Sequence, residues 1–213
     1  MRGGMYSVNG VLRPIAPQNK KSAYSRRGYL PHFDRENLLQ SVTFRLNDSL
    51  PKATLDRITK ETSSLPEQKR AIELRKRVEV YLDKGKGCCV LQVPEVAACV
   101  EDSLKFYDNQ RYRLIAWVVM PNHVHVLIQQ YATLGKIMHG WKGYTAKWML
   151  HNQERLGLSL PPDNILWQRE HWDRYIRNKA HYEKAIEYIH ENPVKAGLAQ
   201  EAQEWRFSSA WEG

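Results

Sequence analysis

Cysteine is scarce, with three residues in 213, and Cys88 and Cys89 are adjacent while Cys99 stands apart. That spacing excludes a disulfide framework and a CxxC metal knuckle, leaving core thiols in a reducing compartment as the reading. Long apolar runs are absent as well. Mean hydropathy is −0.61, and no stretch approaches the roughly 20 apolar residues that a membrane span needs. The first ten residues show no basic segment followed by an apolar one, so no secretory signal is visible and the chain is expected in the cytoplasm, associated with the nucleoid. Acid is in short supply: 23 Asp and Glu face 32 Lys and Arg, a net charge of +9. This surplus suits a polyanion such as nucleic acid or an anionic membrane surface, and charge alone does not choose between them. No repeat or low-complexity tract is visible. The remaining composition, 42% hydrophobic and 26% charged, is that of a globular chain whose length favours one domain.

Residues 1–37 carry Gly3, Gly4, Pro14, Pro17 and Pro31 with the basic pairs Lys20-Lys21 and Arg26-Arg27, and no sustained hydrophobic period. An irregular basic arm is expected there, ahead of a single domain over 38–213. Leu39 to Leu46 reads as a first strand. Between about 51 and 84 the apolar residues Leu55, Ile58, Ile72, Leu74, Val78 and Leu82 are spaced for two helices broken at Ser63-Ser64-Leu65-Pro66. This helical insertion could dock DNA, bind a partner or decorate the sheet, and decoration is the simplest reading. A third helix opens at Pro94. Tyr112 to Val119 and His123 to Ile128 then form two apolar runs around Met120-Pro121-Asn122, a strand hairpin. A long amphipathic helix is expected from 133 to 155, and short extended pieces at 165–168 and 175–177. A last helix over 179–191 is expected to stop before Pro193, because the residue ahead of a proline disfavours the α region.

Two spacings carry chemistry. Side chains two apart on a strand share a face, so His123 and His125 present paired imidazoles while Val124 and Val126 turn to the core. Neutral imidazole is a common metal ligand, and two leave a coordination shell that other groups must complete. The same pair also reads as hydrogen-bonded sheet residues, and the spacing alone leaves both open. Tyr188 and Asn192, four apart, stack on one face of the last helix. A phenol can attack phosphorus when a cation polarises the phosphate, and an amide oxygen could join that cation's shell. The alternative is a packed aromatic and a helix-terminal asparagine. Around these elements Lys142, Arg174 and Arg177 alternate with Trp141, Tyr144, Trp148, Trp167, Trp172 and Tyr175, a mixture suited to phosphates and unpaired bases, although tryptophans also fill cores.

Ala116-Trp-Val-Val-Met-Pro-Asn-His-Val-His-Val-Leu-Ile128, Leu166-Trp-Gln168, Asp173-Arg174, Tyr188-Ile-His-Glu-Asn-Pro-Val-Lys-Ala-Gly-Leu198 and Trp205-Arg-Phe-Ser-Ser209 together resemble the REP-associated tyrosine transposases, within the single-tyrosine HUH transposases. The motifs span roughly 112–209, and Asp48-Ser-Leu-Pro51 is similar to longer members. The resemblance implies an α+β, ferredoxin-like fold: an antiparallel sheet with helices packed on one face, plus the inserted helical segment and a C-terminal extension. It further implies that His123 and His125 bind Mg²⁺ or Mn²⁺ with Asn192 as a further ligand, and that Tyr188 attacks single-stranded DNA to leave a 5′-phosphotyrosine and a free 3′-hydroxyl. The implied partners are hairpins of repetitive extragenic palindromes, met by cations such as Lys142, Arg174, Arg177 and Lys195. No membrane partner is implied. A monomer is expected, with a dimer as the alternative. Tyr144 is a rival nucleophile, set behind Tyr188 because only the latter has the Tyr-x-x-x-Asn-Pro context. His190 is read as exposed or as a proton acceptor. Two rival functions remain: a non-catalytic hairpin-binding protein derived from a transposase, and a metal-dependent phosphodiesterase using water.

Overall fold

The structure, a computed structural model, describes residues 37–213 and, ahead of them, the backbone of four short strands. β1 (Met5–Val8) pairs antiparallel with β2 (Val11–Pro14), and β3 (Tyr24–Arg26) with β4 (Pro31–Phe33). The rest of the basic arm expected over 1–37, up to residue 36, lies outside the described residues.

The main sheet contains β5 (Leu39–Arg45), β6 (Tyr112–Val119), β7 (His123–Gln130) and β8 (Trp172–Tyr175) in the order β6-β7-β5-β8, with every pairing antiparallel. Helices α1 (Lys52–Thr62), α2 (Glu67–Leu82) and α3 (Pro94–Phe106) lie between β5 and β6. Helices α4 (Leu134–His151) and α5 (Gln153–Leu156) lie between β7 and β8, and α6 (Lys179–Lys195) follows β8. With α3 and α4 as crossovers this is the α+β, ferredoxin-like topology that the sequence resemblance implies. Pro51, Pro66 and Pro94 each stand at the start of a helix, where a missing N–H costs nothing. No helix among the described residues is long and apolar enough to cross a membrane.

Alternation along the central strands builds two apolar layers. Phe44, Val124 and Val126 pack with Val100 and Leu104 of α3 and Trp141 of α4, each burial contributing about 1.5–3 kcal/mol. Leu39, Ala116, Val118 and Leu127 point the other way, onto Ala185 and Ile189 of α6. A β-bulge between Leu114 and Ala116 shifts the phase of β6, which keeps Tyr112 and Trp117 on the first layer. The expectation of helices on one face therefore holds for α3 and α4 only. The histidine face of the sheet is itself apolar at Val118 and Leu127, and α6 covers it.

Helix α6 also runs past its expected end, to Lys195. Pro193 falls in the last turn and is buried, so it removes one backbone bond near the terminus without interrupting the ladder. Ala196 and Gly197 donate to the carbonyls of Asn192 and Val194, and Gly197, at φ +71°, turns the chain away. In place of the extended pieces expected at 165–168 and 175–177, the strand lies at Trp172–Tyr175, and Trp167 makes only an isolated bridge to Leu46.

The inserted helices have their own small core, Leu50, Ile58, Val78 and Leu82, closed by Leu74 and by Trp172 of β8. The loop after α2 folds back on Asp48, whose Oδ2 accepts from the Cys88 amide at 2.7 Å. At the far edge, Val119 donates to Phe207 O at 2.8 Å and Ser209 to Trp117 O at 2.9 Å, so the segment after α6 lies along β6. His190, read as exposed or as a proton acceptor, is half-buried and hydrogen-bonds Ser209 Oγ at 2.9 Å. The three cysteines are free thiols, with Cys89 and Cys99 buried and Cys88 partly so.

Gly87 shows where this arrangement is tight. Its φ is +91°, and a Cβ there would meet the Asp48 carbonyl carbon and oxygen at 3.0 Å. Gly87→Ala is expected to lower stability by about 1–3 kcal/mol, read as a shift of the urea unfolding midpoint.

Candidate functional site

His123 and His125 are each 1% exposed, with their rings edge to face at 4.7 Å between centroids. Each ring is held through Nδ1. Asn122 donates from Nδ2 to the carbonyls of Leu82 (3.1 Å) and Lys86 (2.9 Å), which turns its Oδ1 toward His123 Nδ1 at 2.7 Å. An amide oxygen only accepts, so the His123 proton sits on Nδ1 and Nε2 keeps its lone pair. The β5–β7 register sets Thr43 opposite His125, and Thr43 Oγ1 lies 2.8 Å from its Nδ1. Both Nε2 atoms are buried without a hydrogen-bond partner among the described residues. Burial holds His123 at about 3, assisted by the Arg45 charge, and holds His125 well below its ordinary value. Two buried, neutral imidazoles with orphaned Nε2 atoms on one face of a strand fit a divalent cation. Among the described residues no three His, Cys, Asp or Glu side chains already stand at ligand spacing.

Tyr188 reaches this pair from α6, its ring edge to face with His125 at 5.4 Å. Lys195 Nζ lies 5.1 Å from the tyrosine ring centre. Burial, then the charge of Glu79, holds the phenol well above its ordinary value, and Glu79 also hydrogen-bonds it. Asn192, 1% exposed, donates from Nδ2 to the Tyr188 carbonyl at 2.6 Å, one turn back along the helix. The rival Tyr144 sits on α4, which packs on the other side of the sheet, and is 57% exposed.

The tyrosine lies in a groove of about 810 Å³ between α2, β8 and α6. Arg75 and Lys76 come from α2, Arg174 from β8, Arg177 from the turn after it, and His181 and Lys184 from α6. Arg174 and Arg177 thus reach the same groove, and Lys195 the tyrosine ring. Lys142 donates its ammonium to the carbonyls of Gln168 (2.8 Å) and Arg169 (3.2 Å), fastening the segment that leads into β8. The guanidiniums crowd one another. Arg174 is lowered first by burial and then by Arg75 and Arg177, and Arg177 Nε is buried without a partner among the described residues. Glu79 and Asp173 also line the groove, and the excess of cations that remains favours an anion.

Sequence reasoning missed what α2 supplies. Arg75 and Glu79 pair at 2.6 Å, and Asp83, at the helix end, puts Oδ1 3.8 Å from His123 Nε2. The available signal was the i, i+4, i+8 spacing of 75, 79 and 83. Burial and the Glu79 charge raise Asp83 to about 6.

His181 reports on the guanidinium cluster. Burial and the charges of Arg174, Arg177 and Arg75 lower it to about 4 from 6.5. Between those values the unfolded chain holds more protons than the folded one, so this group's effect is a loss of stability as pH falls from 6.5 toward 4. His181→Gln is expected to flatten that loss, measured as the difference between urea midpoints at pH 7 and pH 5.

Residues 97–192 match the family described as "Transposase IS200 like". The chain is 27% identical over 106 residues to the REP-associated tyrosine transposase of Escherichia coli (strain K12), covering 50% of this chain and 59% of that protein. It thus spans about three-fifths of that relative's length. A Haemophilus influenzae protein carrying the same name provisionally is 23% identical over 137 residues, covering 61% of this chain and 75% of that protein. Among solved structures, a REP-associated tyrosine transposase bound to a REP hairpin is similar at 16% identity and a TM-score of 0.49, covering 85% of this chain and 82% of that one. The family match and the two sequence relatives bear out the transposase resemblance read from the hairpin and the late helix, and residues 97–192 carry the IS200-like transposase pattern.

Proposed function

We propose that this protein is a metal-dependent endonuclease and strand transferase that cuts and rejoins hairpin-forming single-stranded DNA through a 5′-phosphotyrosine. The observation that carries the reading is the meeting of two orphaned imidazole nitrogens with one phenol, which itself lines a guanidinium-bearing groove. His123 and His125 would hold Mg²⁺ or Mn²⁺, with Asn192 as a further ligand. When bound, the cation supplies Lewis-acid polarisation of the scissile phosphate. Arg174 and Arg177, with Arg75 across the groove, neutralise DNA phosphates, and Lys195 adds a cation beside the tyrosine. Lys142 contributes by holding the 168–170 segment that leads to them.

Tyr188 Oη attacks phosphorus, the P–O3′ bond breaks, and the 3′-oxygen leaves with the bonding pair and takes a proton from solvent to become the hydroxyl. The phenol is protonated at neutral pH, so its proton must be taken up, and the Glu79 carboxylate hydrogen-bonded to it is the acceptor in place. The phosphotyrosine retains the energy of the phosphodiester. A 3′-hydroxyl from another strand can therefore attack it, returning Tyr188 to the phenol without ATP. Imidazoles and tyrosine come from one chain, so a single copy in the cytoplasm can act as a monomer. The hairpin substrate is inferred from the REP-associated relatives, whose name links them to such repeats.

The test is a denaturing gel after incubation with labelled single-stranded hairpin DNA and Mn²⁺. A retarded, protease-sensitive band is expected with the native chain. Tyr188→Phe should abolish that band and keep hairpin binding. His123→Ala or His125→Ala should lower cleavage by at least about 100-fold. Cleavage without a covalent band would mean a water-using phosphodiesterase. Binding with neither would mean a non-catalytic hairpin-binding protein.

A further inference from the structure

The inserted helix α2 ends at Leu82, and the next residue, Asp83, occupies the C-cap. Helix C-termini favour cations, so a carboxylate there is locally unfavourable. A second carboxylate, Glu79, lies one turn earlier and repels it. Neither feature serves the α1–α2 core, which is built from Leu50, Ile58, Val78 and Leu82. A local choice that opposes the helix marks a functional position when something else in the structure answers it.

The answer lies across the gap. Asp83 Oδ1 is buried without a hydrogen-bond partner among the described residues, as are Nε2 of His123 and Nε2 of His125. Asp83 Oδ1 and His123 Nε2 are 3.8 Å apart. Neighbouring ligands of an octahedral cation with bonds of about 2.1 Å stand about 3.0 Å apart. The carboxylate therefore needs to approach by about 0.8 Å, a side-chain adjustment open to a group 23% exposed. Asn122 ties the two sides together, since one amide caps Leu82 and Lys86 on either side of Asp83 and orients the His123 ring.

We infer that Asp83, delivered by the inserted helices, is a carboxylate ligand of the divalent cation held by His123 and His125. The inference rests on the proposed function and adds to it a donor from outside the motif-bearing segment. A hard oxygen donor suits Mg²⁺ or Mn²⁺ better than imidazole alone. The insertion thereby becomes part of the metal centre.

The experiment measures Mn²⁺ uptake by the full chain in the absence of DNA, using titration calorimetry and the Mn²⁺-induced rise in melting temperature. Asp83→Asn is expected to weaken Mn²⁺ binding at least about tenfold, while its melting temperature in EDTA stays level or rises. Asp83→Glu should recover part of the affinity. Unchanged Mn²⁺ affinity in Asp83→Asn, with binding lost in His123→Ala, would overturn this inference and leave the proposed function standing. Absence of Mn²⁺ uptake by the native chain would remove the cation from the proposed function and this inference with it. Crystals of the native chain grown with Mn²⁺ test the inference without substitution. An anomalous peak within about 2.4 Å of a carboxylate oxygen of Asp83 supports it, and a peak at the histidines more than about 3.5 Å from both oxygens overturns it.

Discussion

The Asn122 side chain is the joint on which the site depends. Its amide nitrogen satisfies two carbonyls around the end of α2, and its oxygen fixes the tautomer of His123. Helix ends leave their last carbonyls without partners, so the first role stabilises the inserted helices. The second keeps a lone pair on a buried nitrogen that would otherwise have two equivalent ways to carry its proton. Because a single amide does both, the insertion and the histidine strand cannot shift independently. Thr43 performs the orienting role for His125 from the neighbouring strand. The paired imidazoles are fixed in direction before any ligand arrives, and that preorganisation lowers the cost of binding one.

Most of the sheet was legible in the sequence, and so were its crossover helices. Strand alternation put Val124 and Val126 inward and the histidines outward, and the prolines at the heads of α1, α2 and α3 announced their starts. The final helix was harder to bound. A proline rule that is sound in a helix interior lost to burial of Pro193 in the last turn. The coverage of both sheet faces was not evident either. It follows from Leu39, Val118 and Leu127, apolar residues on the histidine face that meet α6, and an unbroken apolar run does not reveal that helices will pack on both sides of it.

Within the site, Tyr188, His123 and His125 converge from the segments that carry their motifs. Arg174 and Arg177 line the groove, while Lys142 is spent on backbone carbonyls and Asn192 bonds the carbonyl of Tyr188. The contribution of α2 had only the i, i+4, i+8 spacing of 75, 79 and 83 as a local sign. Arg75, Glu79 and Asp83 resemble the ordinary charges of a solvated helix face, and only the docking of α1 and α2 against Trp172 turns that face toward the tyrosine. Long-range packing, which sequence spacing does not encode, decides whether a charge run is surface or site.

The pairing of Phe207 and Ser209 with β6 has a consequence for self-association. β6 is a terminal strand of the four, and an open strand edge invites another chain to continue the sheet. With the amides of Trp117 and Val119 already engaged, the first by the Ser209 hydroxyl, that template is closed along the half of β6 nearest the histidine turn. A ribbon of copies cannot extend the sheet across that half of β6.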